Sequence, residues 1–195
     1  MTGRLARPLC SRTAREDGIE MVTELETLLA KQAITEVLYR YCRGLDRMDR
    51  DLALSVWHPD GTADYGFFTG TGAEFVAWVW QAHEQFLAHS HQITNILIEV
   101  DGQRAVSEAY VTVALRTKPN AGRTADIVGR GRYLDRWSHR DGVWAIDHRH
   151  FLDDFQAVYD LPLTALTDGS QSSGRRGPDD PSYGALVRNL GTARR

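Results

Sequence analysis

Asp46 closes a helix-patterned segment in the run Arg43-Gly44-Leu45-Asp46, and His91 opens a strand-patterned one, His91-Gln92-Ile93-Thr94-Asn95. A carboxylate can fix an imidazole in one tautomer and stabilise its protonated form, leaving the second ring nitrogen to act as a general base. Facing an apolar pocket, that dyad is enough to take a proton from carbon without a cofactor. Each residue also has a plainer reading. Asp46 could be a solvated or capping acid, or pair with Arg43, Arg47 or Arg50; His91 could be a hydrogen-bonded structural histidine. Near the end of the patterned region, Asp147-His148-Arg149-His150-Phe151 alternates so that Asp147, Arg149 and Phe151 share a face. An arginine in a pocket stabilises a leaving anion or developing oxyanion; the alternative for Arg149 is a surface or ion-paired role. A tyrosine on the Asp46 helix, Tyr41 or Tyr39, is placed to polarise a leaving oxygen.

Other chemistries find less support. His89-Ser90-His91 and His148-Arg149-His150 are both H-x-H pairs, but no Glu or Cys stands at a ligand spacing, so no metal is expected. There is no G-x-S-x-G, phosphate loop or dinucleotide fingerprint, and Gly129 and Gly131 lie in a strand pattern. Arg123, Arg130, Arg132, Arg136 and Arg140 read as a solvated outer face. A net charge of −3 gives no reason to expect nucleic acid.

The elements that must position these groups follow from periodicity. Thr23-Glu24-Leu25-Glu26 has the form of a capping box. Behind it Leu25, Leu28, Leu29, Ile34, Val37, Leu38, Tyr41, Cys42 and Leu45 form one apolar stripe on a helix of about 22–25 residues. A short helix over Asp51–Trp57 is broken by His58-Pro59-Asp60-Gly61, a short strand covers 62–68, and a second amphipathic helix runs from Ala73 to His89. The period then changes to two: His91–Val100, Ala105–Lys118, Thr124–Ser138 and Val143–Phe155 read as consecutive antiparallel strands, with Asp141-Gly142 a tight-hairpin signal. Helices first and a meander after them predict an α+β fold, a twisted sheet wrapped around the long helix as a cone with a cavity between. Gly129 and Gly131 predict a bulge that deepens the curvature. The wall of that cavity is expected to draw on Tyr39, Trp57, Tyr65 and Phe68, and on Asn95, Tyr110 and Tyr133 from the strands.

With 195 residues, 42% of them hydrophobic and 25% charged, the chain suits one domain with ragged ends. Residues 1–21 carry Arg4, Arg7, Arg12 and Arg15 without an apolar core segment, so a disordered arm is expected rather than a signal peptide. Residues 22–160 form the domain, and 161–195, rich in Gly, Ser, Pro and Asp, are expected to be a largely flexible extension. No run approaches the ~18 apolar residues of a membrane span. Cys10 and Cys42 make no disulfide framework and read as free thiols in a reducing cytoplasm.

Ile34-Thr35-Glu36-Val37-Leu38-Tyr39-Arg40-Tyr41, Gly44-Leu45-Asp46, Phe67 to Gly72, His91-Gln92-Ile93-Thr94-Asn95 and Arg140-Asp141-Gly142-Val143-Trp144 together resemble the SnoaL-like branch of the nuclear transport factor 2-like superfamily over about residues 22–160. The resemblance is nearest to the γ-hexachlorocyclohexane dehydrochlorinase and scytalone dehydratase group. It implies a cone-shaped α+β barrel and a cofactor-free lyase in which Asp46 matches the dyad acid, His91 the dyad base and Arg149 an active-site arginine. Two departures stand out: a lysine of the dehydrochlorinase's first helix is Tyr41 here, and the second catalytic histidine of scytalone dehydratase falls near Tyr110 or Thr112. A related branch removes formaldehyde from lignin-derived diaryl compounds, and Tyr65, Phe67, Phe68, Trp78 and Trp80 would suit an aromatic substrate, or belong to the core. The expected activity is elimination or C–C cleavage on a small hydrophobic, aromatic molecule. The alternatives are an isomerase or hydrolase of the ketosteroid isomerase type, and a non-catalytic ligand-binding or oxygenase-subunit-like module. The family also implies a homo-oligomer, dimer or trimer.

Overall fold

A computed structural model describes residues 14–162 and 173–190. Its elements are α1 (Ala14–Arg47), α2 (Arg50–Leu54), β1 (Trp57–Asp64), β2 (Thr69–Thr71), α3 (Gly72–His83), β3 (Phe86–Asp101), β4 (Arg104–Thr117), β5 (Arg123–Arg140), β6 (Val143–Pro162) and α4 (Pro181–Leu190). The six strands form one curved, unclosed sheet in the order β2-β1-β6-β5-β4-β3. The fold is α+β, a cone in which the sheet wraps the C-terminal half of α1. Ile34, Val37, Leu38, Tyr41 and Leu45 bury that face of the helix against Val56, Trp137 and Ile146. Leu25, Leu28 and Leu29, on the first turns of the stripe, project past the sheet and are exposed.

Several boundaries differ from the sequence expectation for physical reasons. The helix runs through Thr23, whose carbonyl accepts the Thr27 hydroxyl at 3.0 Å. The capping-box pattern there is an interior coincidence, and residues 14–21, expected in the disordered arm, are helical. The genuine capping box is at α3, where Thr71 and Glu74 exchange bonds. Trp57 and His58 belong to β1 rather than to a helix and its breaker; Pro59 is tolerated there because the β1–β6 pairing shifts register between Trp57 and Thr62. That pairing is parallel, so the sheet is mixed rather than a pure meander. Helix α3 ends at His83, six residues early, because Phe86–His89 extend the edge strand β3 against β4. In the expected flexible extension, residues 173–190 include α4 and a turn docked on the end of α1: Arg43 donates to the Ser182 hydroxyl at 3.0 Å, and the Tyr183 hydroxyl to Asp49 at 2.7 Å. Residues 1–13, 163–172 and 191–195 of the two expected extensions lie outside the described residues. Among the described residues no helix is long and apolar enough to cross a membrane.

Candidate active site

Asp46 sits in the last full turn of α1, which stops where Met48 takes a left-handed backbone (φ 52°). His91 lies on β3, an edge of the sheet, with α1 along its open side. On an edge strand, alternate N–H groups have no strand partner. The His91 N–H is one of these, and it donates to the Asp46 carboxylate at 3.0 and 3.1 Å. The same carboxylate meets His91 Nδ1 at 2.6 Å. Two bonds from one residue fix the imidazole's rotation and assign the proton to Nδ1, so Nε2 carries a free lone pair. Both side chains are largely removed from solvent, with 4% of His91 and 12% of Asp46 exposed.

The His91 ring lines a cavity of about 290 Å³ between α1, α3 and the inner face of the sheet. Rows of the sheet shape it. His91, Val113 and Gly129 are opposite one another across β3, β4 and β5, and Ile93, Val111 and Gly131 form the next row. The two glycines therefore leave the sheet hollow beside His91. The expected bulge is present: the β5–β6 register shifts between Arg130 and Gly131. A Cβ at Gly131 would strike the Leu152 carbonyl and the Phe151 ring, whereas one at Gly129 meets nothing nearer than 3.8 Å. The remaining wall is mostly aromatic and aliphatic, with the exposed Gln85, Asp153 and Gln156 contributing polar groups. Tyr65 stacks on Phe75 at 4.1 Å with ring planes 2° apart, and Phe67 stacks on Trp78 at 5.2 Å.

Behind this wall is a buried polar cluster. The hydroxyls of Tyr41 and Tyr65 share a 2.6 Å hydrogen bond, and both rings face the cavity with Tyr133. Burial pushes all three phenols well above their ordinary pKa, and the Arg149 charge offsets this only in part, so they remain protonated. Arg149 is fully buried, bonds Asp135 through Nε at 2.7 Å and Nη2 at 2.8 Å, and lies over the Tyr41 and Tyr133 rings at 4.3 and 3.9 Å. Burial opposes its charge, but Asp135 outweighs burial and holds the guanidinium protonated. Among the described residues its Nη1 has no hydrogen-bond partner. Cys42, beside the dyad, is also buried, and desolvation pushes its thiol up to about 12.

The structure thus brings His91, Asp46, Tyr41, Tyr65 and Tyr133 together and places other expected residues elsewhere. Arg149 does not line the cavity; it stands one layer behind, screened by the tyrosines. Asn95 is exposed in a left-handed conformation (φ 48°) at a bulge in β3, which moves the inward phase from His91 and Ile93 to Ile96 and Ile98. Tyr110 points from the outer face of the sheet, 42% exposed. Tyr39 is 52% exposed and borders a shallow groove on the outer side of the dyad. Trp57 is buried edge-on behind Tyr41, and Phe68 sits behind Phe75, leaving Phe67 to face the cavity. Sequence reasoning missed Asp135 and His83; Trp78, read as suited to an aromatic substrate or to the core, lines the cavity. Asp135 stands opposite Arg149 only because the β5–β6 register shifts between Arg136 and Trp137; the unshifted hairpin would set it opposite His148, so the sequence carried no direct signal for the pair. Among the described residues no three of His, Cys, Asp and Glu are placed to hold a metal ion.

A family model for the SnoaL-like domain matches residues 26–150. Among solved structures, the chain is similar to a type 2 hexachlorocyclohexane dehydrochlorinase (LinA), with 18% identity and a TM-score of 0.64 over 76% of this chain and 99% of that one. The type 3 LinA of Novosphingobium barchaimii LL02 gives 21% identity and a TM-score of 0.56 over 73% and 96%. Rv3472 of Mycobacterium tuberculosis, a protein of unknown function, gives 23% and 0.57 over 86% and 88%. These likenesses establish the shared fold. No curated protein matches the chain.

Proposed function

The chain belongs to the SnoaL-like domain family, and we propose that it is a lyase using the Asp46–His91 dyad, without a cofactor, on a small aromatic substrate. The observation that carries this reading is the 2.6 Å contact of Asp46 with His91 Nδ1 at the wall of an aromatic cavity. His91 Nε2 takes the proton from substrate carbon or hydroxyl. In an elimination the C–H electron pair becomes the new double bond, and the leaving group departs with its own bonding pair. The imidazolium remains beside the Asp46 carboxylate until it passes its proton to the leaving oxygen or to water. Tyr41 donates a hydrogen bond to the leaving oxygen, and Tyr65, bonded to Tyr41, passes on the polarisation of the buried Arg149 charge. Exclusion of water strengthens each of these electrostatic contacts.

Both Asp46 oxygens are occupied by His91, which favours a histidine base over the carboxylate base of an isomerase. The test is a screen of hydroxylated diaryl compounds for elimination products or released aldehyde. His91→Gln is expected to lower turnover by about 10²–10⁴-fold, with Asp46→Ala and His91→Ala as further controls. Turnover that survives all three substitutions refutes the dyad.

A further inference from the structure

His83 ends α3, and its ring lines the same cavity as His91, 6.5 Å from it centre to centre. The residue is buried, yet neither ring nitrogen makes a hydrogen bond among the described residues, and Nδ1 is wholly enclosed. Such a group forfeits its hydration without replacement, which folded proteins tolerate mainly where a ligand or water completes the bond. The surroundings hold the ring in place. Its back is covered by His89, whose ring is 4.3 Å away, and its main-chain carbonyl accepts Arg176 Nη2 at 3.2 Å. Arg176 also donates to the Phe86 carbonyl, pinning the turn between α3 and β3.

We propose that His83 is a second substrate contact, a hydrogen-bonding group beside His91 that selects aromatic substrates carrying a ring or side-chain oxygen. The spacing of the two rings suits adjacent substituents of one small molecule: the acidic C–H or O–H meets His91 and the further oxygen meets His83. Burial first, then the charges of His89, His91 and Arg176, push the His83 pKa down to about 3. At neutral pH it is therefore an uncharged imidazole, able to donate or accept but not to compete with His91 for the substrate's proton. The reading adds to the aromatic wall a polar feature that a purely hydrocarbon ligand cannot use.

The proposal rests on the cavity being the substrate site, and a pair of isosteric probes separates the two ideas. 1-Naphthol and 1-methylnaphthalene differ by a hydroxyl in place of a methyl group. Titrated into the full-length protein and followed by tryptophan fluorescence, 1-naphthol is expected to bind about 5–10-fold more tightly, the effect of one neutral hydrogen bond in a desolvated site. His83→Phe is expected to abolish that preference while 1-methylnaphthalene still binds, and His83→Gln, which keeps a polar head, to restore part of it. Should His83→Phe fail to fold, nitrogen-15 spectra of the wild-type imidazoles serve instead: the His83 ring nitrogens are expected to shift with 1-naphthol and not with 1-methylnaphthalene. A preference unchanged in His83→Phe but lost in His91→Phe, or a His83 signal indifferent to 1-naphthol, overturns the proposal and leaves the dyad intact. Failure of both probes to bind the wild-type protein overturns the cavity reading and this proposal with it.

Discussion

Replacing Arg149 by Met removes a charge that no solvent reaches and leaves its partner without a counter-ion. Arg149 and Asp135 are both 0% exposed at the side chain and joined by two short parallel bonds. Removing one member of such a pair costs about 3–5 kcal/mol, mainly through the uncompensated charge left behind. The loss of Arg149 from the faces of Tyr41 and Tyr133 adds about 0.5–2 kcal/mol each where the contact is desolvated. Met recovers part of this by filling the volume, so a net loss of about 3–5 kcal/mol is expected. For a chain of this size that lowers the melting temperature by about 6–20 °C. The double variant Arg149→Met/Asp135→Leu removes both charges and is expected to regain most of the loss, because an apolar pair of similar volume replaces a buried ion pair at little cost. Urea titrations of the wild type, both single variants and the double variant supply the cycle, provided the slope of free energy on urea is unchanged. A single-variant loss under about 1 kcal/mol, or a double variant no more stable than Arg149→Met, would refute the claim that pairing sustains this buried charge.

Three other perturbations have defined outcomes. Gly129→Leu has room for its Cβ and directs its side chain toward the space beside His91, so it is expected to keep the fold and lose 1-methylnaphthalene binding; Gly131→Val, whose Cβ meets the Leu152 carbonyl, is expected to lose the fold by circular dichroism. His83 and His89 are held uncharged by burial first, with pKa values of about 3 and about 4 against 6.5 for an unperturbed imidazole. The unfolded chain therefore binds more protons from pH 6.5 down to about 4, and stability falls as pH drops through that window. His83→Phe/His89→Phe is expected to flatten the slope of the urea midpoint against pH there; an unchanged slope counts against buried neutral imidazoles. Asp180 accepts the Arg175 and Ser182 N–H groups and approaches Arg47 at 3.9 Å. Asp180→Ala is expected to speed amide exchange across residues 173–186 and at the end of α1, and unaltered exchange there would remove Asp180 as the organiser of that turn.

Much of the site was legible because it lies on regular elements whose period is visible in the residues. Tyr41, Leu45 and Asp46 follow one helical stripe, and His91 and Ile93 one strand face, so the acid and the base could be matched before their contact was known. Legibility ended where the period slips. Asn95 adopts a left-handed conformation at the β3 bulge, which reverses the face of every later residue of that strand; an asparagine there looks no different from one on a regular face. The parallel pairing of β1 with β6 joins segments about ninety positions apart, beyond any local pattern. Arg149 was read as a pocket residue because alternation gives the face but not the depth at which a side chain stops; three tyrosines occupy the layer in front of it. The docked turn at 173–183 was hidden by a composition typical of unstructured tails, although Arg43, Arg47 and Asp49 supply the polar partners that hold it.

The parallel seam between β1 and β6 also dictates an order of events during synthesis. Strand β1 is complete at Asp64, but its central neighbour does not begin until Val143. At a ribosomal rate of about 5–20 residues per second, that interval lasts about 4–16 s. Throughout it β1 has only the short β2 as a strand partner, with α1, α2 and α3 the elements that can cover Trp57 and Ala63. The sheet, and with it the aromatic cavity, is complete only when its last strand has left the ribosome.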